Sequence, residues 1–114
     1  MKKIEAIIRD SKFNEVKEVL IKLGVGGMTT YDVKGRGSQI GQSVPPGHPS
    51  SVYADDLVPK RKIEIVCIDE EANKIISAIS MHAKTDLIGD GKIFVSEISN
   101  VIKIRTSEEG QTAV

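Results

Sequence analysis

The residues with the clearest chemical potential lie near position 90. The run Thr85-Asp86-Leu87-Ile88-Gly89-Asp90-Gly91-Lys92 holds two glycines one residue apart, followed by a lysine. Glycine lets a backbone approach a ligand closely, and successive amides in such a turn can form a concave anion site. Lys92 would add a point charge to a phosphate there. A glycine turn entering a strand, with Asp90 bonding locally, accounts for the same residues. The run is not a Walker loop, because the full glycine spacing and the following helix are missing. A weaker segment is Gly35-Arg36-Gly37-Ser38-Gln39, which lacks the later glycine of a dinucleotide-binding turn. A third is Lys103-Ile104-Arg105. On an extended segment its two cations point the same way and can reach one anion, although such a pair is more often a solvated face.

The catalytic inventory is thin. His48 sits among prolines, His82 falls in a helical stretch, and neither has an acidic partner at readable spacing. Both read as surface histidines. Cys67, the single cysteine, lies in a β-branched run and reads as core rather than nucleophile. Asp55-Asp56 could bind a cation, but paired acids in a loop are usually hydrated. No arrangement demands catalysis, and no catalytic residue is assigned.

The elements that must position these groups follow from hydrophobic periodicity. Residues 3–9, with Ile4, Ala6, Ile7 and Ile8, read as a buried strand. Asp10 and Ser11 offer oxygens to the amides of a helix start. Val16, Val19, Leu20 and Leu23 recur at helical spacing, and Gly24 is a natural left-handed stop. Residues 28–34 and 62–68 read as strands, the latter alternating Ile63, Ile65 and Cys67 with Lys62 and Glu64. Asp69 can cap a second helix whose buried stripe is Ala72, Ile75, Ile76 and Ile79, and residues 92–98 form the last strand. The order β-α-β-β-α-β predicts an α+β, ferredoxin-like domain with two helices on one face of a four-stranded antiparallel sheet. Ile7, Val66 and Ile68 cannot all lie beneath those helices. The other face therefore needs cover, and subunit association is the simplest source.

Between the second and third strands lies a long connection rich in glycine, serine and proline, including Pro45, Pro46 and Pro49. Loops of this length in small domains are commonly functional, so it is an interaction-loop candidate. Residues 106–114 read as a frayed, polar end. With 114 residues and 16 basic against 16 acidic side chains, the chain suits one small domain with no basic field for nucleic acid. Glu5 and Arg9 interrupt the apolar stretch that a signal peptide would need, and no run approaches membrane-spanning length. A cytoplasmic location is expected.

Together these residues resemble the nitrogen-regulatory PII family over nearly the whole chain. The resemblance rests on Met1-Lys2-Lys3-Ile4-Glu5-Ala6-Ile7-Ile8-Arg9, Gly27-Met28-Thr29, Val33-Lys34-Gly35-Arg36-Gly37, Val58-Pro59-Lys60 and Ile63-Glu64. Its most specific part is Ile88-Gly89-Asp90-Gly91-Lys92-Ile93-Phe94-Val95, followed by Ile102-Lys103-Ile104-Arg105-Thr106. It implies a single domain over 1–114, with the family's T-loop at about 36–58, its B-loop at about 84–92 and a C-terminal segment over 102–114.

It further implies a homotrimer that binds ATP or ADP in clefts between subunits. Gly27, Met28 and Thr29 would hold the adenine and ribose side, with Ile7 and Val66 nearby. Gly35, Gly37, Ser38 and Gln39 would line the base of the T-loop. Gly89, Asp90, Gly91 and Lys92 would cradle phosphates, joined by Lys103 and Arg105 from the other subunit. Gln39, Ile40, Gly41, Lys60 and Gly89 match positions that hold 2-oxoglutarate with Mg-ATP, Gln39 ligating the Mg²⁺ and Lys60 pairing with a carboxylate. Tyr53 aligns with a tyrosine that some members have uridylylated, although its surroundings differ.

The implied mechanism is a loop switch in which each ligand favours one conformation and a protein target binds only one of them. The usual targets are an ammonium transporter, glutamine synthetase or transcriptional machinery, and nitrogenase in one subgroup. Contact with a membrane would come only through a transporter. Ser38, Leu87 and Lys103 stand where arginine, a basic residue and arginine are common, and the run Val44-Pro45-Pro46-Gly47-His48-Pro49 is unlike the common T-loop. The alternatives are a divergent sensor of another metabolite and, from a different class, a small phosphoryl-transfer enzyme.

Overall fold

The computed structural model describes residues 1–37 and 57–114. Strands β1 (Lys2–Arg9), β2 (Thr29–Gly35), β3 (Val58–Cys67) and β4 (Lys92–Glu97) form one antiparallel sheet in the order β2-β3-β1-β4. Helices α1 (Phe13–Lys22) and α2 (Asp69–Ala83) cover one side, giving the ferredoxin-like arrangement expected.

Strand alternation sorts the side chains. Ile4, Ala6 and Ile8 of β1 face the helices together with Ile63, Ile65 and Cys67 of β3, and all six are buried. Val16 and Leu20 of α1 and Ala72, Ile75, Ile79 and Ala83 of α2 close this core. Leu23 is more exposed than its spacing suggested, because α1 has already ended at Lys22. The Val25 amide donates to the Leu20 carbonyl and the Gly24 amide to that of Ile21. That hydrogen-bond pair is a Schellman stop, and Gly24 takes its left-handed position.

Several local expectations are corrected. Neither helix start is capped by a side chain. Asp10 begins a 3-10 turn over Asp10–Lys12, and its carboxylate turns to Arg61 at 3.0 Å. Asp69 is the first residue of α2, and its carboxylate takes the Met1 amino group at 3.0 Å, which holds it below its ordinary pKa. β3 begins four residues before the expected Lys62, because β2 supplies ladder partners as far back as Val58. Pro59 is tolerated there because β1 pairing stops at Lys60, leaving that stretch one neighbour.

The C-terminal segment is not frayed. Ile102 bridges to Glu109, a 3-10 turn spans Gly110–Ala113, and Ala113 is buried. Among the described residues no helix is long and apolar enough to cross a membrane.

Candidate functional site

The sheet face away from the helices carries Lys3, Glu5, Ile7 and Arg9 on β1, and Lys60, Lys62, Glu64 and Val66 on β3. Its middle is a balanced charge network. Lys62 reaches Glu5 and Glu64 at 3.1 Å each, Lys3 reaches Glu5 at 3.1 Å, and the Tyr31 hydroxyl donates to Glu64 at 3.2 Å. The two lysines hold the Glu5 carboxyl below its ordinary range. The candidate binding residues gather at the two ends of this face, roughly 20 Å apart along β1.

At one end the loop 85–91 folds against Arg9 and Lys60. The Arg9 guanidinium donates from Nε to Asp90 at 3.0 Å and from its terminal nitrogen to the Ile88 carbonyl at 2.7 Å. Lys60 Nζ donates to the Gly89 carbonyl at 2.5 Å. Asp90 also accepts from the Thr85 hydroxyl and amide and from the Asp86 amide. These bonds, the Thr85 pair first and then Arg9, hold its carboxyl well below the carboxylate range. Burial pushes the Lys60 ammonium down, and neighbouring Arg9 adds to the effect. Gly91 has φ +99°, and a Cβ there would lie 1.7 Å from the Ile7 carbonyl oxygen. Only glycine fits. Gly91 and Lys92 lead into β4, where Lys92 pairs with Ile7, so the expected residues Ile7, Lys60, Gly89, Asp90, Gly91 and Lys92 share this end.

At the other end a groove of about 820 Å³ is lined by Gly27, Met28, Thr29, Val66 and Lys103, all expected, together with Glu64 and the C-terminal Val114. Lys103 and Arg105 do not alternate along an extended strand. The Ser107 amide donates to the Lys103 carbonyl at 2.8 Å and turns the chain through Ile104–Thr106, while Lys103 Nζ sits 3.6 Å from Glu108. Ile104 is 97 % exposed at that turn.

Gly35 closes β2 beside Lys60, and Gly37 is exposed just beyond it. Ser38, Gln39, Ile40, Gly41 and Tyr53 lie outside the described residues, as do His48 and Asp55-Asp56. Among the described residues no cluster of three or more His, Cys, Asp or Glu could hold a metal ion. Buried Cys67 has its thiol pKa pushed up by burial, as a core role requires. His82 does have an acidic neighbour, Glu15 of α1 at 3.5 Å, which sequence spacing could not reveal.

The family model described as Nitrogen regulatory protein P-II matches residues 1–108. The chain belongs to the P-II family. It is 49% identical over its whole length to all of the Nitrogen regulatory protein P-II of Porphyra purpurea. It is 47% identical to all of that of Rhizobium meliloti, and 45% identical to Nitrogen regulatory protein P-II 1 of Methanothermobacter thermautotrophicus, 97% of which it covers. Two residues outside the expected set lie beside it, Arg9 against the 85–91 loop and Glu64 in the lining of the groove. Arg9 shares the open face with Ile7 two positions earlier, a signal that strand alternation contained. Glu64 shares that face with Val66 in the same way.

Proposed function

We propose that this P-II family member is a cytoplasmic, non-catalytic regulator that binds ATP or ADP in clefts between copies of itself and signals through the connection after β2. The observation that carries the reading is the division of the candidate residues. Gly27, Met28, Thr29, Val66 and Lys103 line a groove at one end of the open sheet face, while Gly89–Lys92 and Ile7 lie at the other. A nucleotide spanning both sets needs the groove of one copy beside the loop of the next. A repeated head-to-tail contact of that kind forms a ring where its rotation closes, and three copies are the number the family resemblance implies.

In such a cleft Gly27, Met28, Thr29 and Val66 would take the base and ribose. Gly89, Gly91 and Lys92 would face the phosphates, with Lys103 and Arg105 added from the neighbouring copy. Glu64 is a further groove residue able to accept a hydrogen bond from the base. Lys60, held on the Gly89 carbonyl, would share its ammonium with a carboxylate of 2-oxoglutarate. Mg²⁺ would enter with ATP, neutralising phosphate charge. Its implied protein ligand, Gln39, lies outside the described residues. The target would be a nitrogen-metabolism protein engaged by residues 36–58.

The test is calorimetric titration with ATP, ADP and AMP, with and without 2-oxoglutarate and Mg²⁺, alongside sedimentation equilibrium. The expected result is one adenine-nucleotide site per chain in a trimer, with ATP and 2-oxoglutarate each strengthening the other. No adenine-nucleotide binding would overturn the reading. Tight ATP binding indifferent to 2-oxoglutarate would favour a sensor of another metabolite. Steady turnover abolished by Lys92→Ala would establish a phosphoryl-transfer enzyme instead.

A further inference from the structure

Asp90 lies between the two glycines of a loop offered to phosphates, and a carboxylate facing a phosphate would repel it. Its oxygens are directed elsewhere. Oδ1 accepts from Arg9 Nε at 3.0 Å and from the Thr85 hydroxyl at 2.5 Å. Oδ2 accepts from the amides of Thr85 at 2.8 Å and Asp86 at 2.9 Å. Both oxygens are thus engaged within the protein, and the charge is matched by Arg9.

The same cations orient the peptide groups beside Asp90. Arg9 takes the Ile88 carbonyl and Lys60 takes the Gly89 carbonyl. In a trans peptide the N–H points opposite to its C=O, and no cis bond occurs among the described residues. With those carbonyls drawn towards the paired residues Arg9 and Lys60, the N–H groups of Gly89 and Asp90 are directed away from them. Two successive amides turned to one side begin an anion-binding nest.

We propose that Asp90 is a positioning residue: with Arg9 and Thr85 it clamps loop 85–91 so that the Gly89 and Asp90 amides are set for a phosphate before any ligand arrives. The inference rests on the nucleotide reading and adds a mechanism to it. A loop ordered in advance does not charge its ordering entropy to binding. The Asp90 carboxylate thereby acts on affinity for the phosphates without touching them, whereas the adenine groove at the opposite end of the sheet is indifferent to it.

The full-length protein is titrated calorimetrically with ATP and, separately, with adenosine, and amide hydrogen exchange is followed without ligand. Asp90→Asn is nearly isosteric but sets an NH₂ group against either the Thr85 and Asp86 amides or Arg9. It is expected to weaken ATP by about tenfold or more, to leave adenosine within about twofold, and to speed exchange at Thr85 and Asp86. Thr85→Ala should weaken ATP by about threefold and Thr85→Ser should restore it, at unchanged unfolding midpoints. This threonine pair carries the test if Asp90→Asn fails to fold. Wild-type ATP affinity in Asp90→Asn or, should that variant not fold, in Thr85→Ala overturns the clamp alone. Equal loss of ATP and adenosine, which a merely structural role would give, also overturns it. No ATP binding by the unsubstituted protein overturns the nucleotide reading along with it.

Discussion

The two ends of the open sheet face are constructed on opposite principles. The loop at 85–91 is tied to β1 and β3 by Arg9, Lys60 and Asp90; Gly91 presses against the β1 backbone and Gly89 against the Arg9 and Lys60 side chains. The groove end is assembled from the exposed chain after α1 and from a C-terminal segment that turns back through residues 100–110. One end carries its order in ion pairs and steric fit, and the other presents an open groove that a neighbouring copy could complete. For a cleft formed between copies, that is a sensible division: a charged ligand meets a preset cradle, while the flatter base tolerates a surface closed by association.

Breaking the rigid end should produce the largest effect. Gly91→Ala places a Cβ 1.7 Å from the Ile7 carbonyl oxygen at a positive φ, and neither the β1 backbone nor the loop can yield cheaply. Urea unfolding should show a loss of about 3 kcal/mol or more, or a protein that no longer accumulates folded. The same substitution at Gly27, where a Cβ meets nothing within 4 Å, should cost less than about 1 kcal/mol. Equal costs at the two positions would erase the contrast between the ends.

Acid should separate the ends next. The folded-state pKa of Asp90 is depressed, so its contribution is fully present above the unfolded aspartate value, about 3.9. It is lost as pH falls through the lower folded value. Exchange protection at Thr85 and Asp86 should therefore persist from pH 7 down to about 4.5 and fade only in stronger acid. An Asp90 carboxyl carbon shift that titrates in the ordinary aspartate range would contradict this.

Legibility in the sequence follows the range of the interactions. The core was readable because Ile4, Ala6 and Ile8, or Ile63, Ile65 and Cys67, state their own period, and so was the stop at Gly24. The glycine loop was readable as a turn with a locally bonded Asp90, but its partner Arg9 is 81 residues away in sequence. Asp69 and Asp10 look like helix caps locally, yet each finds a cation brought by the fold. The start of β3 was hidden by Pro59, whose tolerance depends on where β1 ends. The C-terminal turn was missed because its order comes from Asn100 and from Ser107 at φ +62°, neither of which has an apolar period. Pattern reports what a residue does for its own element; register and long-range charge appear only once the sheet is assembled.

Asn100 offers a milder way to loosen the groove end. Its Oδ1 accepts from the amides of Val101 at 2.9 Å and Gly110 at 3.1 Å, and its Nδ2 donates to Glu109 at 3.0 Å. Asn100→Ala should cost about 1 kcal/mol, because the Gly110 amide keeps the Val101 carbonyl. Faster tryptic cleavage at Lys103 and Arg105 should accompany it, with exchange at Thr85 unchanged. Loosening that spread to the loop would mean that the two ends are not independent.

The smallest structural effect, and the most telling about function, belongs to Lys103. Its ammonium lies 3.6 Å from Glu108 and both side chains are more than two-fifths exposed, so the pair is screened by water. Lys103→Ala should move folding stability by no more than about 0.5 kcal/mol. If the groove of one copy meets the phosphate loop of the next, the same substitution should nevertheless weaken ATP by about fivefold or more while sparing adenosine. Lys103→Arg should match or exceed the wild-type affinity, because a guanidinium offers a phosphate two parallel donors where an ammonium offers one point charge. Mixing Lys103→Ala chains with Gly91→Ala chains, where the latter fold, sharpens the comparison further. Each variant spoils a different end, so a mixed ring would regain some clefts with both ends intact, and ATP binding should partly return. A cleft built within one copy would show no such recovery.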